Sequence, residues 1–307
     1  MRVAIASGKG GTGKTTIATN LATVGVEQGR SLAYVDCDVE APNAHLFLHP
    51  SLDDERQVTL PVPQVEEDRC SGCGICAQVC QYSAILVLGG RVQIFPELCH
   101  GCGSCSRQCP EHAIDEVDRH IGRLQAGITP GGLSFRRGIL DIGEAMPVPV
   151  IRALKKWPVE GRDQLVIRDS PPGTSCPVVE TLRGADFVLL VTEPTPFGLH
   201  DLKLALEVAQ SLALPTGVII NRSGVGDSGV EAVCRDQRIP VMMRIPLSRQ
   251  IGEALARGQP LIEAFPEYRL SFCELLESIL HRMDSDFTDP EPVPFRNPLH
   301  ARSPEQE

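Results

Sequence analysis

RVAIASGKGGTGKTTIATNLATVGVEQG (2–29) decides the architecture of this chain. RVAIA (2–6) is a short apolar run of buried-strand type, and KTTIATNLATVGVEQG (14–29) repeats its apolar residues with helical period. Between them, GKGGTGKT (8–15) satisfies Gly-x4-Gly-Lys-Thr. Glycines in such a loop let backbone N–H groups turn inward around phosphates, and the following helix N-terminus adds its positive end. The residues expected to hold ATP are Gly8, Lys9, Gly10, Gly11, Thr12, Gly13, Lys14, Thr15 and Thr16. Lys14 is expected at the β- and γ-phosphates, and the Thr15 hydroxyl on Mg²⁺.

Working outward, SLAYVD (31–36), LVIRD (165–169), FVLLVT (187–192), TGVIIN (216–221) and PVMMRI (240–245) read as further buried strands. Helical segments fall near 178–184, 198–213, 228–238 and 248–257, with a last one near 267–283. Strands alternating with helices predict an α/β fold of the P-loop NTPase kind, a mostly parallel sheet covered by helices on both faces.

Residues 61–118 break that rhythm. They hold CSGCGICAQVC (70–80) and CHGCGSCSRQC (99–109), two copies of Cys-x2-Cys-x2-Cys-x3-Cys set 29 residues apart. This spacing wraps a pair of 4Fe–4S clusters, and in two-cluster ferredoxins the fourth cysteine of each run ligates the other cluster. One cluster then takes Cys70, Cys73, Cys76 and Cys109, the second Cys99, Cys102, Cys105 and Cys80. Pro110 follows Cys109 as that pattern expects, whereas Gln81 follows Cys80. Zinc could use the Cys-x2-Cys pairs, but the doubled four-cysteine run favours iron–sulfur. Residues 70–85 match 99–114 at eight positions, which implies a pseudo-twofold unit.

The segment carries eight acids against three arginines and is flanked by LPVPQVEED and EVDRH, so a compact ferredoxin-like α+β insertion is expected. The chain then divides into a core over 1–60, the insertion over 61–118, the remaining core over 119–283 and a tail over 284–307. That tail has five prolines and six acids against two arginines and is expected to be disordered. Cys37, Cys176, Cys234 and Cys273 lack partner cysteines nearby in sequence and read first as core residues, with Cys37 and Cys176 open as interface ligands.

Composition narrows the function classes. A net charge of −10 disfavours a nucleic-acid partner, and 4% aromatic residues argue against a base-stacking platform. No apolar run reaches the ~18 residues of a transmembrane helix, so no membrane partner is expected. Twelve cysteines without an export signal point to metal ligation rather than disulfides, and the expectation is a soluble cytoplasmic protein.

The loop carries a second lysine, Lys9, in a chain with only five, and here the sequence resembles the deviant Walker A ATPases: MinD, ParA, Mrp-type scaffold ATPases and the nitrogenase iron protein. The resemblance implies a homodimer with ATP at the interface, Lys9 crossing to the partner's nucleotide. VDCDVEAPN (35–43) stands where that group has its first switch; Asp38 would orient the attacking water, Asn43 would assist, and Asp36 is open as a mere turn cap. VIRDSPPGT (166–174) is similar to the second switch, with Asp169 holding a Mg²⁺-bound water and Gly173 giving an N–H to the γ-phosphate. Asn221 stands where the group's asparagine reads adenine. Over 1–283 the arrangement resembles MinD-superfamily P-loop ATPases containing an inserted ferredoxin domain.

That resemblance implies an ATP hydrolase passing electrons through its clusters to a redox partner protein. The competing reading is a maturation ATPase handing clusters to apo-proteins. A MinD-like positioning role is the weakest, because the C-terminus is acidic and proline-rich where a membrane anchor would be basic and amphipathic.

Overall fold

The computed structural model describes residues 1–158 and 165–284, so the tail expected over 284–307 lies outside the described residues except for Asp284, which ends the last helix. The chain opens with β1 (Arg2–Ala6), the glycine loop and α1 (Lys14–Glu27). Ile17, Leu21 and Val24 of α1 recur every three or four residues and are fully buried. Burying each such side chain stabilises the fold by about 1.5–3 kcal/mol. After β2 (Leu32–Asp36) and the single turn α2 (His45–Leu48) comes β3 (Ser51–Val65). The cysteine runs lie among α3 (Ile75–Val79), β4 (Ile85–Leu88), β5 (Arg91–Ile94) and α4 (Ser104–Arg107). Then follow β6 (Ile114–Ile128), β7 (Ser134–Leu140), α5 (Pro147–Lys156), β8 (Leu165–Asp169) and α6 (Cys176–Leu182). The core closes with β9 (Phe187–Thr192), α7 (Pro196–Ser211), β10 (Thr216–Ser223), α8 (Gly229–Asp236), β11 (Val241–Pro246), α9 (Arg249–Ala256), α10 (Leu261–Ala264) and α11 (Tyr268–Asp284).

Nine strands form one sheet in the order β11-β10-β9-β1-β8-β2-β7-β6-β3. The seven from β11 to β7 are parallel, and β6 and β3 extend the β7 edge antiparallel. Apolar clusters on both faces bury the central strands, one around α1 and α11, another around α6, α7 and α8. This is the expected P-loop α/β fold. All six strands expected from the sequence are present within a residue or two, as are the six helices.

The expected divides at 60/61 and 118/119 fall inside paired strands. β3 and β6 pair from Ser51↔Ile128 to Val65↔Ile114, but β7 accompanies β6 only as far as Gly122↔Leu140. Residues 59–65 and 114–120 therefore have only each other as strand partners and overhang the carboxyl edge of the parallel strands. Seven residue steps make an overhang of roughly 24 Å. LPVPQV, read as the proline-bearing flank of the insertion, is strand: β3 is the outermost strand of the sheet, where a proline's missing N–H breaks no ladder.

Beyond the ribbon the cysteine repeat is also a repeat of backbone. Gly72 and Gly101, Gly74 and Gly103, and Ser83 and His112, each pair 29 residues apart, all have positive φ. Ala84 and Ala113, again 29 apart, are buried at equivalent places.

Candidate functional site

The loop after β1 opens into a cavity of about 850 Å³ at the carboxyl edge of the sheet, where open α/β sheets bind ligands. Gly10, Gly11, Gly13, Lys14, Thr15, Thr16, Asp38, Asn43 and Asn221 line it. Gly8, Lys9, Thr12, Asp169 and Gly173 do not. Gly13 has φ +94°, and a Cβ there would lie 2.5 Å from Asn221 Nδ2, so both backbone and space require glycine.

Lys14 is buried, its ammonium among Asp169, Asp38 and Asp36. Burial holds its pKa below the usual lysine value while the three carboxylates pull it back up. Asp169 is also buried, accepts 2.9 Å from the Tyr34 hydroxyl, and has its carboxyl pushed up by burial against the pull of Thr15, Lys14 and Tyr34. Asp169 Oδ1 and Thr12 Oγ1 are buried without a hydrogen-bond partner. A buried orphan acceptor beside Thr15 fits the chemistry of a Mg²⁺-bound water.

Asp36 is a turn cap. Its carboxylate accepts from the N–H groups of Asp38 and Ala44, both at 3.2 Å, and shapes the segment that presents Asp38 to the cavity. Burial, opposed by Lys14, pushes the Asp38 carboxyl up to about 6. The Gly173 N–H donates to the Ser7 carbonyl at 3.0 Å, so phosphate contact would require breaking that bond. Asn221 Nδ2 donates to the Thr12 carbonyl at 2.7 Å, bracing the loop instead of facing a base with its whole amide.

Lys9 sits outside the cavity, its ammonium 3.1 Å from Glu193 just past β9. Glu193 also accepts from Arg222 at 2.6 Å, and Arg222 donates to the Gly11 carbonyl at 3.1 Å. Neither Glu193 nor Arg222 is legible in the sequence, since each acts on the loop across about 180 residues or more of chain. Phe47 and most of residues 245–256 complete the cavity wall, and no motif marks them in the sequence.

On the overhang, two small cavities lie between the cysteine runs. Cys70, Cys73, Cys76 and Cys109 line one, with Val65 and Ile114 at the end of the ribbon. Cys80, Cys99, Cys102 and Cys105 line the other, with Pro61, Pro63 and Glu116 nearer the core. Each cavity thus takes three cysteines from one run and the fourth from the other. Backbone N–H groups point at three of the sulfurs: Ala84 at Cys80 (3.3 Å), Gly101 at Cys99 (3.4 Å) and Ala113 at Cys109 (3.4 Å). Tyr82 stacks on His100 with centroids 3.6 Å apart beside the inner cavity. All twelve cysteines are free of disulfides. Among the described residues, no three His, Cys, Asp or Glu side chains converge on a single-ion position.

Of the remaining cysteines, Cys37 and Cys234 are buried, with burial pushing their thiols up to about 12 and about 11. Cys273 is partly buried and Cys176 is exposed at the start of α6. Among the described residues no helix is long and apolar enough to cross a membrane.

Comparison with known proteins agrees with this geometry. The chain is 32% identical over 264 residues to the uncharacterised protein MJ0579 of Methanocaldococcus jannaschii, covering 86% of this chain and 92% of that one. It is 26% identical over 268 residues to the uncharacterised ATP-binding protein MJ0547 of the same organism, covering 86% and 81%. Its fold is similar to that of the septum site-determining protein MinD of Pyrococcus horikoshii, solved with Mg-ADP (TM-score 0.53, 21% identity, 93% and 99% covered). The CobQ/CobB/MinD/ParA nucleotide binding domain matches residues 3–261, and with the cavity, loop and sheet order described above this chain belongs to that family of P-loop ATPases, CbiA.

Proposed function

We propose that this chain is an ATP-driven iron–sulfur protein. Two copies close face to face around ATP, and hydrolysis is coupled to electron transfer through two 4Fe–4S clusters to a partner protein. The observation that carries this reading is the interleaved lining of the two cysteine cavities, which follows the ligand exchange of two-cluster ferredoxins. A four-iron cube binds each thiolate through a different iron, so its ligands surround a cavity and need not converge on one point. The N–H groups aimed at sulfur are the donors that stabilise a reduced cluster. The apolar clusters of this small unit are also built largely around cysteines, and a unit of that size usually needs metal or disulfides to hold together.

When bound, the clusters supply one-electron redox chemistry. The protein's part is to hold them 29 residues out of phase on a stiff ribbon at the nucleotide-binding edge. Anaerobically purified protein should contain about eight iron and eight sulfide per chain, with absorbance that bleaches on reduction. Stoichiometric zinc without sulfide would overturn the reading.

Phosphoryl transfer depends on positioning and charge neutralisation. In this reading Lys14, Lys9 and Mg²⁺ on Thr15, with Asp169 behind it, neutralise charge, while Asp38 orients water. With its carboxyl raised to about 6 from 3.8, Asp38 favours the folded state most when protonated. Its contribution to stability is full below pH ~4 and lost as pH rises through ~6. Catalysis runs the other way, since only the carboxylate orients water. kcat/KM should therefore fall about tenfold per unit below pH ~6. Asp38→Asn should lower kcat about 10²-fold or more and erase that inflection; an unchanged profile would remove Asp38 from the reaction.

A further inference from the structure

Helix α5 stands between the two sites. At its carboxyl end, Glu180 of α6 accepts from Lys155 and Arg152, both at 3.3 Å, and Lys155 also donates to the Arg183 carbonyl at 2.9 Å. Helix α6 begins seven residues after Asp169, directly after the second-switch segment. Val150, Ile151 and Leu154 of α5 are buried in one cluster with Val39 of the first switch and with Ile121 and Leu124 of β6. A Cβ on Gly138 of β7 would clash with both Val39 and Val150, so switch, strand and helix pack without slack.

At its other end α5 is entered from the loop after β7, and that loop grips the ribbon where it leaves the sheet. Glu144 pairs with Arg119 at 2.6 Å, Asp141 pairs with His120 at 2.6 Å, and the Asp141 N–H donates to the Ile121 carbonyl at 3.0 Å. Arg119 pairs in register with Leu60. Leu60 and Pro61 in turn underlie Gly101, in the cysteine loop of the inner cavity. Arg119 Nε and Nη2 are buried without a partner.

We infer that α5 is a strut carrying the state of the nucleotide switches to the inner cysteine cavity, with the Glu144–Arg119 pair as its outer joint. The inference rests on the proposed reading, because it assigns Glu144 and Arg119 as positioning residues for that coupling. A helix is stiff along its axis and this one is pinned at both ends. A shift of α6 toward the nucleotide is therefore passed along the helix to its packing on Ile121 and Leu124 of β6, and to Glu144 in the turn three residues before its first residue.

The test is hydrogen exchange by mass spectrometry on the full-length, anaerobically purified protein, with Mg-ADP, with a slowly hydrolysed ATP analogue, and without nucleotide. In the wild type, nucleotide should change exchange several-fold at 114–121 and 99–105 as well as at the glycine loop. Glu144→Gln and Arg119→Gln should each keep the response at 8–16, which certifies fold and binding, and lose it at 114–121 and 99–105. A ribbon that still responds in both variants, or that fails to respond in the wild type, overturns the strut. Iron content of the same samples separates the two ideas. Iron present without a ribbon response sinks only the strut, and a ribbon response in iron-free protein sinks only the iron–sulfur reading.

Discussion

Lys14→Ala is expected to abolish ATP hydrolysis, with a loss of about 10³-fold or more in phosphate release. The lysine does two things. In the proposed reading it is the buried cation that meets the β- and γ-phosphates, and it offsets the charge of Asp38 in the cavity wall and of Asp36 and Asp169 buried behind it. Its removal leaves Asp38 facing incoming triphosphate with two further carboxylates uncompensated behind it, so nucleotide affinity should fall as well as turnover. Lys9→Ala should behave differently. Lys9 lies outside the cavity on Glu193, so its loss should leave nucleotide binding near wild type while the ATP-dependent dimer fails to form in light scattering. Turnover in Lys14→Ala within tenfold of wild type would remove Lys14 from the phosphate site. An intact dimer in Lys9→Ala would leave Lys9 as a local partner of Glu193.

The second large effect concerns the crossed cysteines. Cys109→Ser should reduce iron from about eight to about four per chain, and the lost cluster should be the one held by Cys70, Cys73 and Cys76. Double variants decide the assignment. Cys109→Ser combined with Cys70→Ser should cost no more iron than either alone, since both line the outer cavity. Cys109→Ser combined with Cys102→Ser should empty both sites, because Cys102 lines the inner cavity. Ligation by each run of its own four cysteines would give the reverse pattern.

The core was legible because its strands are buried on both faces and so read as unbroken apolar runs, from RVAIA to FVLLVT. The ribbon was not. SLDDERQVTLPVPQV is mostly exposed along its first half and carries two prolines, so it shows neither a strand's alternation nor a core strand's density of apolar residues. IDEVDRH at the start of β6 is charged for the same reason, and α5 was hidden behind PVPV, whose first proline sits in the first helical turn where no N–H is missed. The phosphate loop and cysteine runs were legible because their chemistry is contiguous. Glu193 and Arg222 reach the loop only through the fold, and the bonds of Asn221 and Gly173 to the loop's own carbonyls are set by packing that no motif records.

The overhanging ribbon has a consequence of gearing. The two strands pair without a further register shift from Thr59↔His120 to Val65↔Ile114 and so turn as one body, and rotation at the root, where the register shifts between Val58 and Thr59, is multiplied by the length of the arm. A tilt of about 10° where β6 leaves β7 would sweep the outer cysteines through roughly 4 Å at the end of a 24 Å lever. That sweep comes from an adjustment at the sheet edge no larger than the scatter in twist between neighbouring strands. A cysteine unit on loose chain would wander over the protein surface and meet a partner by chance. Carried on this arm, it takes a position that follows the rotation of the root.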